Sequence, residues 1–372
     1  MGRGIGTGPF WWIIAATLTG MLGFGAVIPV LPPYLHDHLL ASTFTTGFVV
    51  GAASATALLG RLFAGPLADR RGRRITLILG LALCGLAGLL YFPLFGVWSL
   101  TLARILHGLG EGFFLTAAVA WVVDLAAPHQ RGQALGFLAS GVWGGLALGP
   151  LVGQALGGLP QVAGFVAGAS FLALAAAWRY AHEEPRTRAA GRPAIFPRAA
   201  ALPGLVLGLA NVPYAVMAGF LPLLLRERGM GGVPAFAAFA GCVLFTRTAF
   251  GSLPDRLGPR RTLFGGIAVL MVGLVLVATA HSPVVMLLAS ALVGIGYSFP
   301  WPSLAVMVVS HVSEGERASA LGALTACFDL FVALGAVTAG TLAGWLGLTS
   351  VFWMGLGSAF LAALVARVGR VR

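Results

Sequence analysis

The residues of this chain that could do chemistry are few, and most are set among apolar neighbours. Arg104, His107, Gly108 and Glu111 fall at i, i+3, i+4 and i+7, which on a helix is a single face. His107 and Glu111, one turn apart, could share a proton. Arg104 and Glu111 are two turns apart, about 10 Å along the axis, so His107 or a water would join them more readily than a direct ion pair. Asp329 lies in Cys327-Phe328-Asp329-Leu330-Phe331, with no basic residue near it in sequence. An ionisable residue at the centre of a bilayer costs about 2.5–3.5 kcal/mol on insertion scales. Each therefore marks either a function or a buried polar lock between helices. The stripe and the aspartate point to proton binding and release by Glu111, Asp329 and His107. Arg104 would serve as their countercharge or as a contact for an anionic group.

The elements that position these residues follow from composition. Hydrophobic residues make up 58% of the 372 and charged residues only 9%, against about 25% charged in soluble domains. Such a chain belongs in lipid, where long apolar runs default to helices because no backbone group can be left facing hydrocarbon. Twelve spans are expected, near 10–31, 43–67, 75–95, 98–124, 133–158, 161–181, 201–225, 233–253, 262–281, 283–309, 318–343 and 349–368. The first reads as a retained span rather than a signal peptide. The formal charge of +12 comes from arginines gathered in short turns, without any lysine. That pattern is the positive-inside signature and excludes a nucleic-acid face. It places both termini and the central linker in the cytoplasm, with Arg226 and Arg228 after span 7 as the exception. Cys84, Cys242 and Cys327 have no metal or redox spacing, and no nucleophile, metal or phosphate-loop constellation suggests an enzyme or a cofactor.

The chain repeats itself at an offset of 186 residues. Gly65-Pro-Leu-Ala-Asp69-Arg70-Arg71-Gly72-Arg73-Arg74 echoes at Gly251-Ser-Leu-Pro-Asp255-Arg256-Leu-Gly258-Pro259-Arg260-Arg261. Arg61 and Arg247, Gly108 and Gly294, and Gly110 and Gly296 keep the same register. The fold expected is all-α and polytopic, with twelve transmembrane helices in two pseudo-symmetric six-helix halves, a known transporter plan. The halves are 1–181 and 200–372, joined by a polar tether at 182–199. Arg61 and Arg247 are expected to snorkel or to pair with loop acids. Asn211, Pro213 and Tyr214 in span 7, and Tyr297, Pro300, Trp301 and Pro302 in span 10, suggest interrupted helices lining a cavity. Phe113 and Trp143 join Arg104, Asn211, Tyr214, Tyr297 and Trp301 as candidate substrate contacts, since aromatic faces suit planar or cationic molecules.

These residues resemble the major facilitator superfamily over essentially the whole chain. The loop Gly65-x-Leu67-Ala68-Asp69-Arg70-x-Gly72-Arg73-Arg74 matches the family's signature between helices 2 and 3. Gly145-x-x-x-Gly149-Pro150-x-x-Gly153 resembles the span 5 motif of its proton-coupled drug antiporters, although any tight helix crossing uses small residues at this spacing. Arg104-x-x-His107-Gly108 is similar to their Arg-x-x-Gln-Gly pattern, with histidine in place of glutamine. Span 1, unlike that of some drug antiporters, carries no acid. The resemblance implies that Asp124 pairs with the motif arginine, so Gly65, Asp69, Gly72, Arg73 and Asp124 form a cytoplasmic gate, with Gly145, Gly149 and Pro150 also gating. It further implies a monomeric secondary transporter in a bacterial cytoplasmic membrane. The transporter would move small amphipathic, multidrug-type molecules outward against protons by alternating access, without a cofactor. Rival readings are a proton-coupled uptake symporter for a sugar or organic acid, a lipid or lysolipid transporter, and, more distantly, a transporter-like sensor.

Overall fold

The computed structural model describes residues 8–127, 130–180, 198–312 and 317–369. Their regular structure is entirely helical. The first helices are α1 (Gly8–Val27), α2 (Leu31–Asp37), α3 (Thr43–Arg71), α4 (Arg73–Leu90), α5 (Val97–Leu125), α6 (Arg131–Leu156) and α7 (Leu159–Tyr180). After the linker come α8 (Ala201–Glu227), α9 (Ala235–Phe250), α10 (Leu253–Leu257), α11 (Pro259–Thr279), α12 (Pro283–Tyr297), α13 (Pro300–Val309), α14 (Arg317–Leu346) and α15 (Leu348–Val368). Most of the 182–199 tether lies outside the described residues.

Eleven stretches among the described residues are long and apolar enough to cross a membrane. Proline interrupts two of them. Pro29 sits in the turn between α1 and α2, and Pro300 opens α13 after the turn at Ser298 and Phe299. The expected eighth span is shorter than the sequence suggests. It ends at Phe250, giving 16 residues, because Gly251 and Ser252 form a turn and Pro254 starts α10. Sixteen residues reach about 24 Å, less than the roughly 30 Å hydrocarbon core.

By contact the chain divides into two compact units, Met1–Ala41 with Ala52–Ala189, and Ser42–Gly51 with Ala190–Arg372. The start of α3 groups with the second unit because Gly47 and Gly51 lie against Ala336 and Ala333 of α14. The 186-residue repeat is physical. In the first unit α4 crosses α5 where Gly80 and Gly110 meet, and in the second α11 crosses α12 where Gly266 and Gly296 meet. Gly108 abuts the carbonyl oxygen of Ala53, and its repeat equivalent Gly294 abuts that of Phe239, the equivalent of Ala53. Gly72 and Gly258 both turn the chain at positive φ, 104° and 88°, which an L side chain rarely adopts.

Arg228, the exception to the arginine pattern, is tied to the ends of helices in the second unit. Its Nη1 donates to the carbonyls of Val277 (2.9 Å) and Ala280 (2.6 Å), and its Nη2 to Ala278 (2.6 Å) and to Thr349 Oγ1 (3.2 Å). The last carbonyls of α11 have no partner within the helix, so one guanidinium satisfies them and anchors the start of α15. Arg228→Met is expected to lose about 1–3 kcal/mol of stability, read as a thermal midpoint several degrees lower in detergent. Arg226→Met, on the exposed neighbour, should change it far less.

Candidate functional site

Glu111 is the central residue of the 29-residue α5, and a partner reaches it from another helix. Its Oε1 accepts from Arg61 Nη2 of α3 at 3.0 Å, with the two side chains 12% and 20% exposed. This corrects two expectations. The i,i+4 spacing suggests a proton shared with His107, and Arg61 was expected to snorkel or pair with a loop acid. A guanidinium facing the carboxylate from the next helix makes a charge-assisted hydrogen bond, stronger than one to an uncharged group. The approach of α3 to α5 is close because Gly60, Gly108 and Gly112 all face the neighbouring backbone, and Thr56 Oγ1 donates to the Ile105 carbonyl at 3.0 Å.

His107 turns instead toward α4 and α1. Its Nδ1 lies 3.0 Å from the hydroxyl of Tyr91, and its ring meets that of Phe24 edge-on at 5.1 Å. The Arg104 guanidinium stands 4.8 Å over the same Phe24 ring and also hydrogen-bonds Tyr91. All three polar residues are buried. The structure thus places Arg104 and His107 of the expected stripe with Tyr91 and Phe24, and Glu111 with Arg61. Tyr91 and Phe24 were missed from sequence because both come from other helices and neither carries a charge. Phe113 is half-buried.

The second unit holds a matching centre. Tyr297, at the end of α12, stacks on Tyr214 of α8 with ring centroids 5.9 Å apart. Phe239 and Phe328 extend the ring cluster at 5.4 Å from Tyr297 and 6.0 Å from Tyr214. Tyr297 lies within electrostatic reach of Arg247 on α9, Asp329 on α14 and Tyr214. Asp329 itself is buried, with no base near it in sequence. Asn211 donates to the Leu207 carbonyl at 2.6 Å, within its own helix. One residue pair below, Pro213 cannot bond the Leu209 carbonyl, and Ser358 of α15 donates to that oxygen at 2.7 Å. This serine supports α8 and gave no signal in sequence. Trp301 is half-buried, and Trp143 is buried on α6 in the first unit.

Arg73 joins three helix ends of the first unit. Its Nη1 donates to Asp69 Oδ1 (3.1 Å) and the Ala68 carbonyl (3.2 Å), and its Nε lies 3.0 Å from Asp124 Oδ2. The last contact is an ion pair rather than an aligned hydrogen bond. The second repeat has Pro259 and Ser310 at the positions of Arg73 and Asp124, so this pair exists once. Arg74 donates to the Trp178 carbonyl and stands 5.2 Å over its ring, tying α4 to α7. Gly65 has open space around it. A Cβ at Gly145 would lie 2.7 Å from the Leu18 carbonyl oxygen and one at Gly149 2.6 Å from that of Leu22, with Pro150 against Gly25. This motif is therefore the crossing of α6 over α1.

Duplicated helical units with ionisable residues buried inside their spans are a plan that membrane transporters use. The family model of the Major Facilitator Superfamily matches residues 13–244 and 235–372. The chain belongs to that superfamily. It is 27% identical over 369 residues to the uncharacterized MFS-type transporter YhhS of Escherichia coli (strain K12), covering 95% of this chain and 90% of the relative. To the uncharacterized MFS-type transporter STM4428 of Salmonella typhimurium (strain LT2) it is 30% identical over 376 residues, covering 96% and 95%. Solved structures of other transporters share the fold. The human organic anion transporter MFSD10 (TETRAN) has a TM-score of 0.73 at 19% identity, and the nucleoside transporter NupG (D323A mutant) has 0.79 at 13%. Each match covers 96% of this chain and 98% of the other. The protein is accordingly an integral membrane transporter of the superfamily, which needs no cofactor.

Proposed function

We propose that the chain is a secondary active transporter that moves small amphipathic molecules out of the cell in exchange for protons, by alternating access. The observation that carries this reading is the Glu111 carboxylate at the middle of α5, held by Arg61 at 3.0 Å. A carboxylate maintained inside hydrocarbon has a function by default, and a proton is the smallest cargo that can neutralise it. Asp329 is the second carrier, and His107 with Arg104 completes the polar path. The aromatic cluster of Tyr214 and Tyr297 offers flat faces to substrate, and Phe113, Trp143, Asn211 and Trp301 are further contacts. Both termini are assigned to the cytoplasm, which puts Asp69, Arg73 and Asp124 there as a latch. Small residues at Gly145 and Gly149 let α6 shift on α1 as the latch opens.

The test is transport by the monomer reconstituted in liposomes, with the membrane potential clamped. Permanently charged probes avoid passive response to pH: ethidium and tetraphenylphosphonium as cations, anilinonaphthalene sulfonate as an anion. Proton antiport accumulates a probe when the lumen is acid, whereas symport accumulates it when the outside is acid. Glu111→Gln and Asp329→Asn are each expected to cut gradient-driven accumulation by at least tenfold. Transport that ignores the gradient and survives both changes rules out proton coupling.

A further inference from the structure

The repeat register also shows where the two units part. At the start of α4 the first unit turns its arginines onto other helices. Arg73 joins the ends of α3 and α5, and Arg74 ties α4 to Trp178 of α7. The offset of 186 carries Arg73 to Pro259 and Trp178 to Leu364, so neither tie can form at the start of α11. Arg260, the equivalent of Arg74, is exposed and lies over Phe264 of its own helix at 5.9 Å. Arg261 is exposed too, and stands where the first unit has Ile75, an apolar side chain 50% exposed. Among the described residues neither Arg260 nor Arg261 makes a hydrogen bond or an ion pair. The first unit holds these cations against its own helices, and the second presents them outward.

The two arginines border an open cleft of about 590 Å³, lined by Leu257, Gly258, Pro259, Arg260, Arg261 and Phe264. Its level in the bilayer follows from the helices beside it. The apolar stretch of α11 begins at Pro259, and α9 ends at Phe250 after only 16 residues, short of the hydrocarbon thickness. The turn and α10 between them therefore lie at the edge of the hydrocarbon. There Phe250 and Leu257 are 45% and 54% exposed, which suits lipid and not water. In sequence a single acid, Asp255, stands against Arg256, Arg260 and Arg261, so the segment is net positive.

We propose that this cleft binds one anionic phospholipid, its phosphate held by Arg260 and Arg261 and its upper acyl chain against Leu257 and Phe264. A guanidinium pairs with phosphate oxygens through two parallel N–H bonds, and a basic pocket at the end of a span suits such a headgroup. A soluble anion would use the arginines and leave the apolar side chains of the same cleft wet, whereas a phospholipid covers both. The first unit has no equivalent site, because Arg73 and Arg74 are tied to helix ends and Ile75 replaces Arg261. The inference is independent of the direction of transport and of the coupling ion.

The experiment is native mass spectrometry of the full chain, delipidated in detergent and titrated with dimyristoyl phosphatidylglycerol or dimyristoyl phosphatidylcholine. The wild type is expected to take its first phosphatidylglycerol roughly tenfold more tightly than phosphatidylcholine. Arg260→Gln combined with Arg261→Gln should weaken that first binding by roughly 30-fold. Arg261→Ile, which installs the first unit's residue, should weaken it about fivefold. Arg70→Gln combined with Arg71→Gln removes the same charge from the loop of the first unit and should change it by about twofold at most. Equal losses in the two double variants would mean diffuse attraction to a positive surface and overturn the site, as would equal affinity for the two lipids. Displacement of the lipid by equimolar glycerol 3-phosphate would assign the arginines to a soluble phosphate and overturn the lipid as occupant. Should the double variant at 260 and 261 not be monodisperse, Arg261→Ile decides, and an affinity equal to that of the wild type overturns the proposal.

Discussion

Gly108→Val is expected to reduce monodisperse protein in detergent at least tenfold, as read by size-exclusion chromatography. A Cβ at this position would press on the Ala53 carbonyl and on Thr56 Oγ1. The first of these is backbone and cannot rotate away. Relief would require α3 to move off α5, and with it the Thr56 bond to Ile105 and the Arg61–Glu111 pair would be lost. Overpacking alone costs about 1–3 kcal/mol, and leaving a buried carboxylate without its cation adds several more. The repeat makes a second prediction of the same size. Gly294→Val meets the Phe239 carbonyl in the same way and should fail alike. Gly136→Val and Gly265→Val, which have open space around them, are controls that should express as the wild type does. If Gly108→Val elutes normally, the close crossing of α3 and α5 is not what the small residues provide.

The contrast between these glycines shows what the sequence could and could not reveal. The duplication was legible because identical residues recur at one offset, and the helical membrane fold because the charged fraction of 9% lies far below the typical soluble value and the apolar runs are long. The crossing points were partly legible, since small residues four apart permit close approach, but their partners were not. The Arg61–Glu111 pair joins residues 50 positions apart. Helical spacing reports which residues share a face, as it did for Arg104, His107 and Glu111, but it is silent on how that face is rotated toward its neighbours. Tyr91 and Ser358 show the same limit, because uncharged residues at helix ends or in apolar runs carry no pattern. Arg228 is an exception to the arginine pattern because its partners are carbonyls at a helix end, which hydropathy does not record. The short α9 came from turn residues at 251 and 252 that an apolar count passes over.

Arg73→Gln is expected to lower the maximal rate of gradient-driven ethidium transport by roughly 5- to 150-fold, the range of a 1–3 kcal/mol coupling, with little change in the half-saturating concentration. In the proposed cycle the arginine holds one conformation by joining the ends of α3, α4 and α5 through Asp69, Ala68 and Asp124. Removing it shifts the balance of conformations without touching the residues assigned to substrate. No second copy compensates, because Pro259 and Ser310 replace the pair in the other unit. Asp124→Asn should act in the same direction and, in combination with Arg73→Gln, add little more. Exchanging the charges, Arg73→Asp with Asp124→Arg, restores the pair but sets a new aspartate one turn from Asp69. Recovery should therefore be partial, and replacing Asp69 by asparagine in that background should extend it. Additive losses from the two single changes, with no recovery on exchange, would mean that Arg73 and Asp124 act separately and that neither latches the other.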